Sequence, residues 1–305
     1  MRETSEIGPA EFESLRQQSH QAARAGRLEE ALALLDSVGD WVAGQDDPRL
    51  TDLWVCDRAV VAIELDPGAK GAKEIPRLRE ILLRNADPAN CRVAAYSIAR
   101  FYELSRDYKK ALFYARISRD RSEVLGRRDW LASSHNLIGN TLLAESFVDK
   151  ALAEYEQALE LMPAEPSPAR ASILDNLGYC RVLQGRYSEG YACLYQSLRI
   201  LRQFAPNRNE ISTRLDLCFT HLETGHFRHA ERHGLAALRL AESIQEADSI
   251  KNALYLLGEA AHLSGDADGA RRYFAELQTS FYPGESYLPN FLLAVDVRKL
   301  VNLHA

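Results

Sequence analysis

The densest grouping of side chains capable of chemistry is a set of four histidines, His221, His226, His229 and His233. His229 and His233 stand four apart, one helical turn, and His221 falls on the preceding helical segment, so three imidazoles could face one ion. No cysteine or carboxylate is placed to complete such a shell. His221, His229 and His233 are therefore only a weak metal candidate, and no cofactor is expected. The chain has no Gly-rich phosphate loop, no His-Glu-x-x-His pair, no Cys-x-x-Cys pair and no Gly-x-Ser-x-Gly elbow, which weighs against the common enzyme classes. Carboxylates such as Glu154, Glu156 and Glu160 recur at salt-bridge spacings on one helical segment and read as a solvated face. The chain is expected not to be an enzyme.

The bulk properties agree with a binding protein. Of 305 residues, 46% are apolar and 26% charged, which is ordinary for a packed chain and unlike a disordered one. The formal charge of −6 argues against general nucleic-acid binding. Arg116, Arg119, Arg121, Arg127 and Arg128 make a local basic stretch, but Asp120, Glu123 and Asp129 interrupt it. No stretch is long and apolar enough for membrane insertion, and no signal peptide is evident. The five cysteines, Cys56, Cys91, Cys180, Cys193 and Cys218, are scattered and odd in number. Reduced thiols filling a core are expected, in a cytoplasmic protein.

What must position any functional side chain is a repeat. Small residues recur at Ala31, Gly71, Ala111, Ala151, Gly190, Ala230 and Ala270, spaced by 40 residues five times and by 39 once. Twelve residues upstream of each stand Ser19, Ala59, Ala99, Gly139, Gly178, Cys218 and Gly258, again all small. Chance would produce that second column on the order of once in ten thousand trials. Glycines at Gly26, Gly185, Gly225 and Gly265, five before the first column, mark a turn. Each unit thus reads as helix, short turn, helix, with small residues where two helix axes come nearest. Asp66, Pro67, Gly68 and Gly71 make the second unit irregular, and Pro76 suggests that its second helix begins near Ile75.

The pattern resembles the tetratricopeptide repeat family, most fully over residues 132–163, where Ile138, Gly139, Leu142, Val148, Ala151, Tyr155, Ala158 and Pro163 occupy the matching places. The period of about 40 residues exceeds the usual 34, and lengthened repeats of this kind are similar to those of bacterial peptide-sensing regulators, signalling ATPase sensor regions and some polarity adaptors. The resemblance implies an all-α, right-handed α-solenoid of seven helix-turn-helix repeats, over residues 10–48, 49–90, 91–130, 131–169, 170–208, 209–249 and 250–283. A capping helix over 285–304 is expected to cover the last packing face.

In such a fold the first helices line the concave side. Residues one after and three before each small residue share a face, which pairs Tyr96 with Arg100, Asn136 with Asn140, Asp175 with Tyr179, Leu215 with Phe219 and Tyr255 with Glu259; Asn176 and Asp216 lie beside them. Amide side chains both donate and accept, and so can pair with the main chain of an extended peptide. Aromatics supply apolar anchors. Asn140 matches a place where peptide-gripping members of the family often carry Asn, and Asn176 is close to another. The expected partner is another protein or an extended peptide, held by Tyr96, Arg100, Asn136, Asn140, Asp175, Asn176, Tyr179, Phe219, Tyr255 and Glu259. Without a Lys/Arg cluster, a carboxylate-clamp mode is not expected. An adaptor or scaffold is the leading reading; a peptide-responsive regulator without a DNA-binding head is the alternative, and an enzyme, a phosphatase or a histidine-metal hydrolase, is the third.

Overall fold

The computed structural model describes residues 7–204, 208–298 and 302–304, all of them helical or in connections between helices. The chain forms two compact units, Met1–Leu142 and Leu143–Ala305. In the first unit α1 (Pro9–Arg24) pairs with α2 (Leu28–Asp36). A short α3 (Gly39–Gly44) leads to α4 (Pro48–Leu65), and a π-helical turn over Pro67–Gly71 opens into α5 (Ala72–Arg84). Then come α6 (Pro88–Leu104), α7 (Tyr108–Val124) and α8 (Arg128–Ala144), within which the unit ends. The second unit continues with α9 (Val148–Leu161), α10 (Pro168–Leu183), α11 (Tyr187–Leu201), α12 (Arg208–Glu223), α13 (Phe227–Ser243), α14 (Ala247–Ser264), α15 (Ala267–Phe281) and α16 (Leu288–Ala294).

Local chemistry starts several of the first helices in the same way. Asp47, Asp87 and Ser167 each accept a backbone N–H of the opening turn, and each is followed by Pro at the first helical position, where the missing N–H costs nothing. The turns inside the pairs are equally uniform. Gly26, Gly185, Gly225 and Gly265 all have φ between 72° and 87°, and Arg106 and Ser146 hold the same left-handed conformation at the equivalent places, with φ of 60° and 63°. That conformation ends one helix and admits the next within three residues.

The two small-residue columns meet each other. Ser19 donates its hydroxyl to the Ala31 carbonyl at 2.8 Å across the first pair. A Cβ at Gly178 would lie 2.7 Å from Leu194 Cγ and 3.1 Å from the Gly190 carbonyl oxygen, and one at Gly258 would lie 2.3 Å from the Phe274 ring. In the first unit Val55, Ile63, Leu78 and Ile98 fill the core beside these contacts; in the second, Tyr155, Leu177, Leu194 and Phe274 are fully buried. All five cysteines are free and buried, as apolar fillers. Part of the basic stretch is exposed in local ion pairs, Arg119 with Asp120 and Arg127 with Asp129.

Three details differ from the sequence-based expectation. Helix α5 begins at Ala72 rather than near Ile75, with Pro76 inside it; the proline's absent N–H would have bonded Ala72, in the first turn next to the π-turn, so little is lost. Helix α3 has no counterpart in the repeat pattern. The expected cap over 285–304 is a helix only over Leu288–Ala294, and Val295 is extended; residues 299–301 lie outside the described residues. Leu288 and Pro289 begin that helix, but Asp296 and Val297 follow an extended residue and do not continue the apolar face.

Gly258→Ala forces α14 and α15 apart and is expected to lower stability by about 1–3 kcal/mol. Equilibrium urea unfolding measures this; an unchanged midpoint would show that the close approach is not required.

Candidate functional site

Helices α10, α12 and α14 are the first helices of three successive pairs in the second unit, and each packs beside the next. Every residue is buried over 173–180, 215–222 and 253–260. A helix buried on all sides is covered on all sides. Each packs against its partner in the pair and against helices of the neighbouring repeats, and residues 298 and 302–304 lie over part of the remaining face.

The contacts are specific. The Leu303 N–H donates to the Tyr179 hydroxyl at 3.3 Å, and the Leu303 carbonyl accepts from Asn252 Nδ2 at 3.4 Å. Both main-chain groups of one residue are thus held by side chains from α10 and α14. The His304 ring stacks on Tyr179 with centroids 4.3 Å apart, and its Nε2 lies 2.9 Å from Asp216 Oδ2 on α12. Asn302 donates its side-chain amide to the Leu143 carbonyl at 2.9 Å. Further back, Arg298 reaches Glu223 at 3.1 Å and Glu259 at 3.8 Å.

The face is acidic and partly unsatisfied. Asp175 is held well above the usual carboxylate range, first by burial and then by the negative charge of Asp216. Burial pushes Glu259 up to about 7, against the pull of Arg298. Burial also raises the Tyr179 and Tyr255 hydroxyls, helped by Asp216 and Glu259 respectively. Asp175 Oδ1, Tyr255 Oη and Glu259 Oε1 are buried without a hydrogen-bond partner. Orphaned polar atoms of this kind are costly, and here three of them share one face.

The residues singled out from sequence fall into two groups. Tyr96, Arg100, Asn136 and Asn140 belong to the first unit. There Tyr96 lies under the Arg92 guanidinium at 4.7 Å, and Arg100 is engaged by Glu64 and Glu103, each at 2.6 Å. Asn136 and Asn140 are half-buried on α8, and neither lacks a partner. Asp175, Asn176, Tyr179, Phe219, Tyr255 and Glu259 come together in the second unit. They were expected to lie on an exposed face, and they are buried instead; residues 298 and 303–304 lie against Tyr179, Asp216 and Glu259. The Tyr179 and Phe219 rings touch at 5.9 Å.

Asn252 and Glu223 were missed, along with the C-terminal residues that meet them. Asn252 lies one turn before Tyr255 and two before Glu259 on the same helical face, so extending that face toward the helix start would have found it.

The histidines do gather, but not as a metal site. His221 bonds the Tyr191 hydroxyl through Nδ1 at 2.8 Å and the Tyr195 hydroxyl through Nε2 at 2.9 Å. Its ring lies nearly parallel to those of His229 and His233, at 5.1 and 5.5 Å. Stacked rings do not converge their lone pairs on one point, and no group of metal-ligand geometry occurs among the described residues. Burial lowers His221 to about 4 and His233 to about 3, with neighbouring imidazoles adding to the effect. The cluster is a polar seam between α11, α12 and α13.

No family model matches this sequence, and no curated protein matches it as a relative. Solved structures do match its fold. The apo form of the quorum sensor NprR from B. thuringiensis is 13% identical, covering 95% of this chain and 82% of that one, with a TM-score of 0.70. NprR in complex with its cognate peptide NprX is likewise 13% identical over 93% and 81%, with a TM-score of 0.67. The apo form of RapI is 15% identical over 90% and 100%, with a TM-score of 0.65. At such identities the likeness establishes fold alone: an all-α solenoid of the tetratricopeptide type. No helix among the described residues is long and apolar enough to cross a membrane.

The raised Glu259 has a consequence for stability. In the unfolded chain the carboxyl ionises near 4.5, whereas in the folded chain it holds its proton to about 7. The folded form therefore binds more protons between those values, and this contribution is full below pH 4.5 and lost as pH rises through 7. Glu259→Gln removes the loss. Its stability relative to the parent is expected to rise from pH 4.5 to 7.5, by no more than about 3 kcal/mol; a pH-independent difference in urea unfolding would contradict this.

Proposed function

We propose that this chain is a non-enzymatic peptide- or protein-binding adaptor, and that the face of α10, α12 and α14 holds an extended segment of its partner. One observation carries the reading: Tyr179 and Asn252 satisfy both main-chain groups of Leu303. Main-chain pairing by side chains recognises an extended strand whatever its sequence, while neighbouring aromatics and carboxylates select among side chains. Tyr179 and Phe219 supply the apolar floor; Asp175, Asn176, Asp216, Tyr255 and Glu259 supply the polar contacts. Asn136 and Asn140 are candidate contacts of the first unit.

A second reading, a peptide-responsive sensor, is supported by the likeness to NprR, whose complex with a cognate peptide has been solved. Both readings use the same face, and both fit a cytoplasmic protein with reduced cysteines.

Selection of a phage-displayed peptide library against the purified chain tests the proposal. The parent chain is expected to enrich convergent sequences that bind in solution, and the Tyr179→Ala/Asn252→Ala variant, with helicity unchanged, to bind them at least tenfold more weakly. Equal binding by the variant would move the site elsewhere.

A further inference from the structure

Residues 298 and 302–304 occupy the same side chains that the proposed function assigns to a partner. We propose that they are a tethered stand-in for that partner, and that the partner is therefore a cationic extended segment that must displace them.

Charge identifies the ligand class. The face presents Asp175, Asp216, Glu223 and Glu259, all but Glu223 buried. Among the described residues, the basic side chains within ion-pair distance of Asp216, Glu223 and Glu259 are Arg298, and His304 where its imidazole is protonated, both from beyond α16. The helices themselves provide none. Buried carboxylates need a counter-charge or a proton; Arg298 supplies the one, and burial beside Asp216 favours the other on Asp175. A partner that displaced the segment without bringing cations of its own would leave Asp216 and Glu223 uncompensated. The incoming segment must therefore carry a cationic side chain between Glu223 and Glu259, where Arg298 sits, and an imidazole or other N–H donor over Asp216 beside the Tyr179 ring, where His304 sits. A residue with free N–H and C=O must lie between Tyr179 and Asn252, which excludes proline there.

The seat is also incompletely used. Asp175 Oδ1, Tyr255 Oη and Glu259 Oε1 remain without hydrogen bonds while the segment is in place. A partner reaching those atoms makes contacts that residues 298 and 302–304 do not, which is the differential affinity displacement requires. Tethering raises the threshold, since a short linker holds its ligand at an effective concentration of roughly millimolar.

This inference rests on the peptide-binding reading, and the test separates the two. A fluorescein-labelled peptide spanning residues 295–305 is titrated, by anisotropy, against the full chain, against the chain ending at Ala294, and against that shorter chain carrying Asp216→Asn. The shorter chain is expected to bind the peptide, the full chain at least tenfold more weakly, and the Asp216→Asn form at least tenfold more weakly than its parent. The same peptide with Arg298 and His304 replaced by Gln should lose binding similarly. Because the shortened chain could lose its fold, the full chain with Arg298→Ala/His304→Ala serves as a second arm that needs no truncation: it should bind library-selected peptides at least tenfold more tightly than the parent. Selected peptides that bind the full chain, the Arg298→Ala/His304→Ala variant and the shorter chain alike would overturn the tethered stand-in and leave peptide binding standing. Selected peptides without cationic residues would overturn the ligand class. If no peptide binds any form, the proposed function fails with it.

Discussion

Close approach of paired helices is the constraint on which the rest depends. A missing side chain at Gly178, Gly190 and Gly258 lets two backbones come within reach of each other's carbonyl oxygens or of a facing aromatic ring. Because the requirement repeats every 40 residues or so, the second unit lays its first helices α10, α12 and α14 side by side. Tyr179, Asp216, Asn252 and Glu259 belong to three helices widely separated in sequence. They share one face only because each helix is rotated about its axis by its own small residue.

That origin explains how much of the molecule was legible in the sequence. Burial of the small columns leaves a periodic trace, so the helix pairs and their turns could be read directly. The turn was less complete. Arg106 and Ser146 adopt the left-handed conformation of the neighbouring glycines, and nothing in their side chains announces it. Helix α3 escaped because a six-residue insert between pairs has no period of its own. The helical face was legible for the same reason as the columns, since residues one after and three before a small position are oriented by it. What covers that face was not. Asn302, Leu303 and His304 meet residues from 51 to 159 positions away, and no local pattern encodes a contact of that range. The expectation of an exposed face therefore failed at Tyr179, Asp216 and Glu259 for a single reason.

Two polar clusters in the second unit show how burial divides chemistry between structure and function. Around His221 polar groups are met from within the helices, the tyrosine hydroxyls of α11 bonding both of its ring nitrogens while burial lowers its pKa, although His233 keeps both of its own nitrogens unpaired. On the face of α10, α12 and α14 the balance is the opposite. Carboxylates are compensated from outside the helices, a tyrosine and two carboxyl oxygens go unpaired, and a main-chain segment is gripped at both of its polar groups.

The most direct measurement of the central claim, that this face grips an extended main chain, is native-state amide hydrogen exchange at Leu303. If Tyr179 holds that N–H, exchange is slowed at least about tenfold relative to an unstructured peptide, and Tyr179→Phe restores the fast rate while the amides of α10 stay protected. Exchange at the unstructured rate in the parent chain would contradict the account, because the face would then hold no main chain at all.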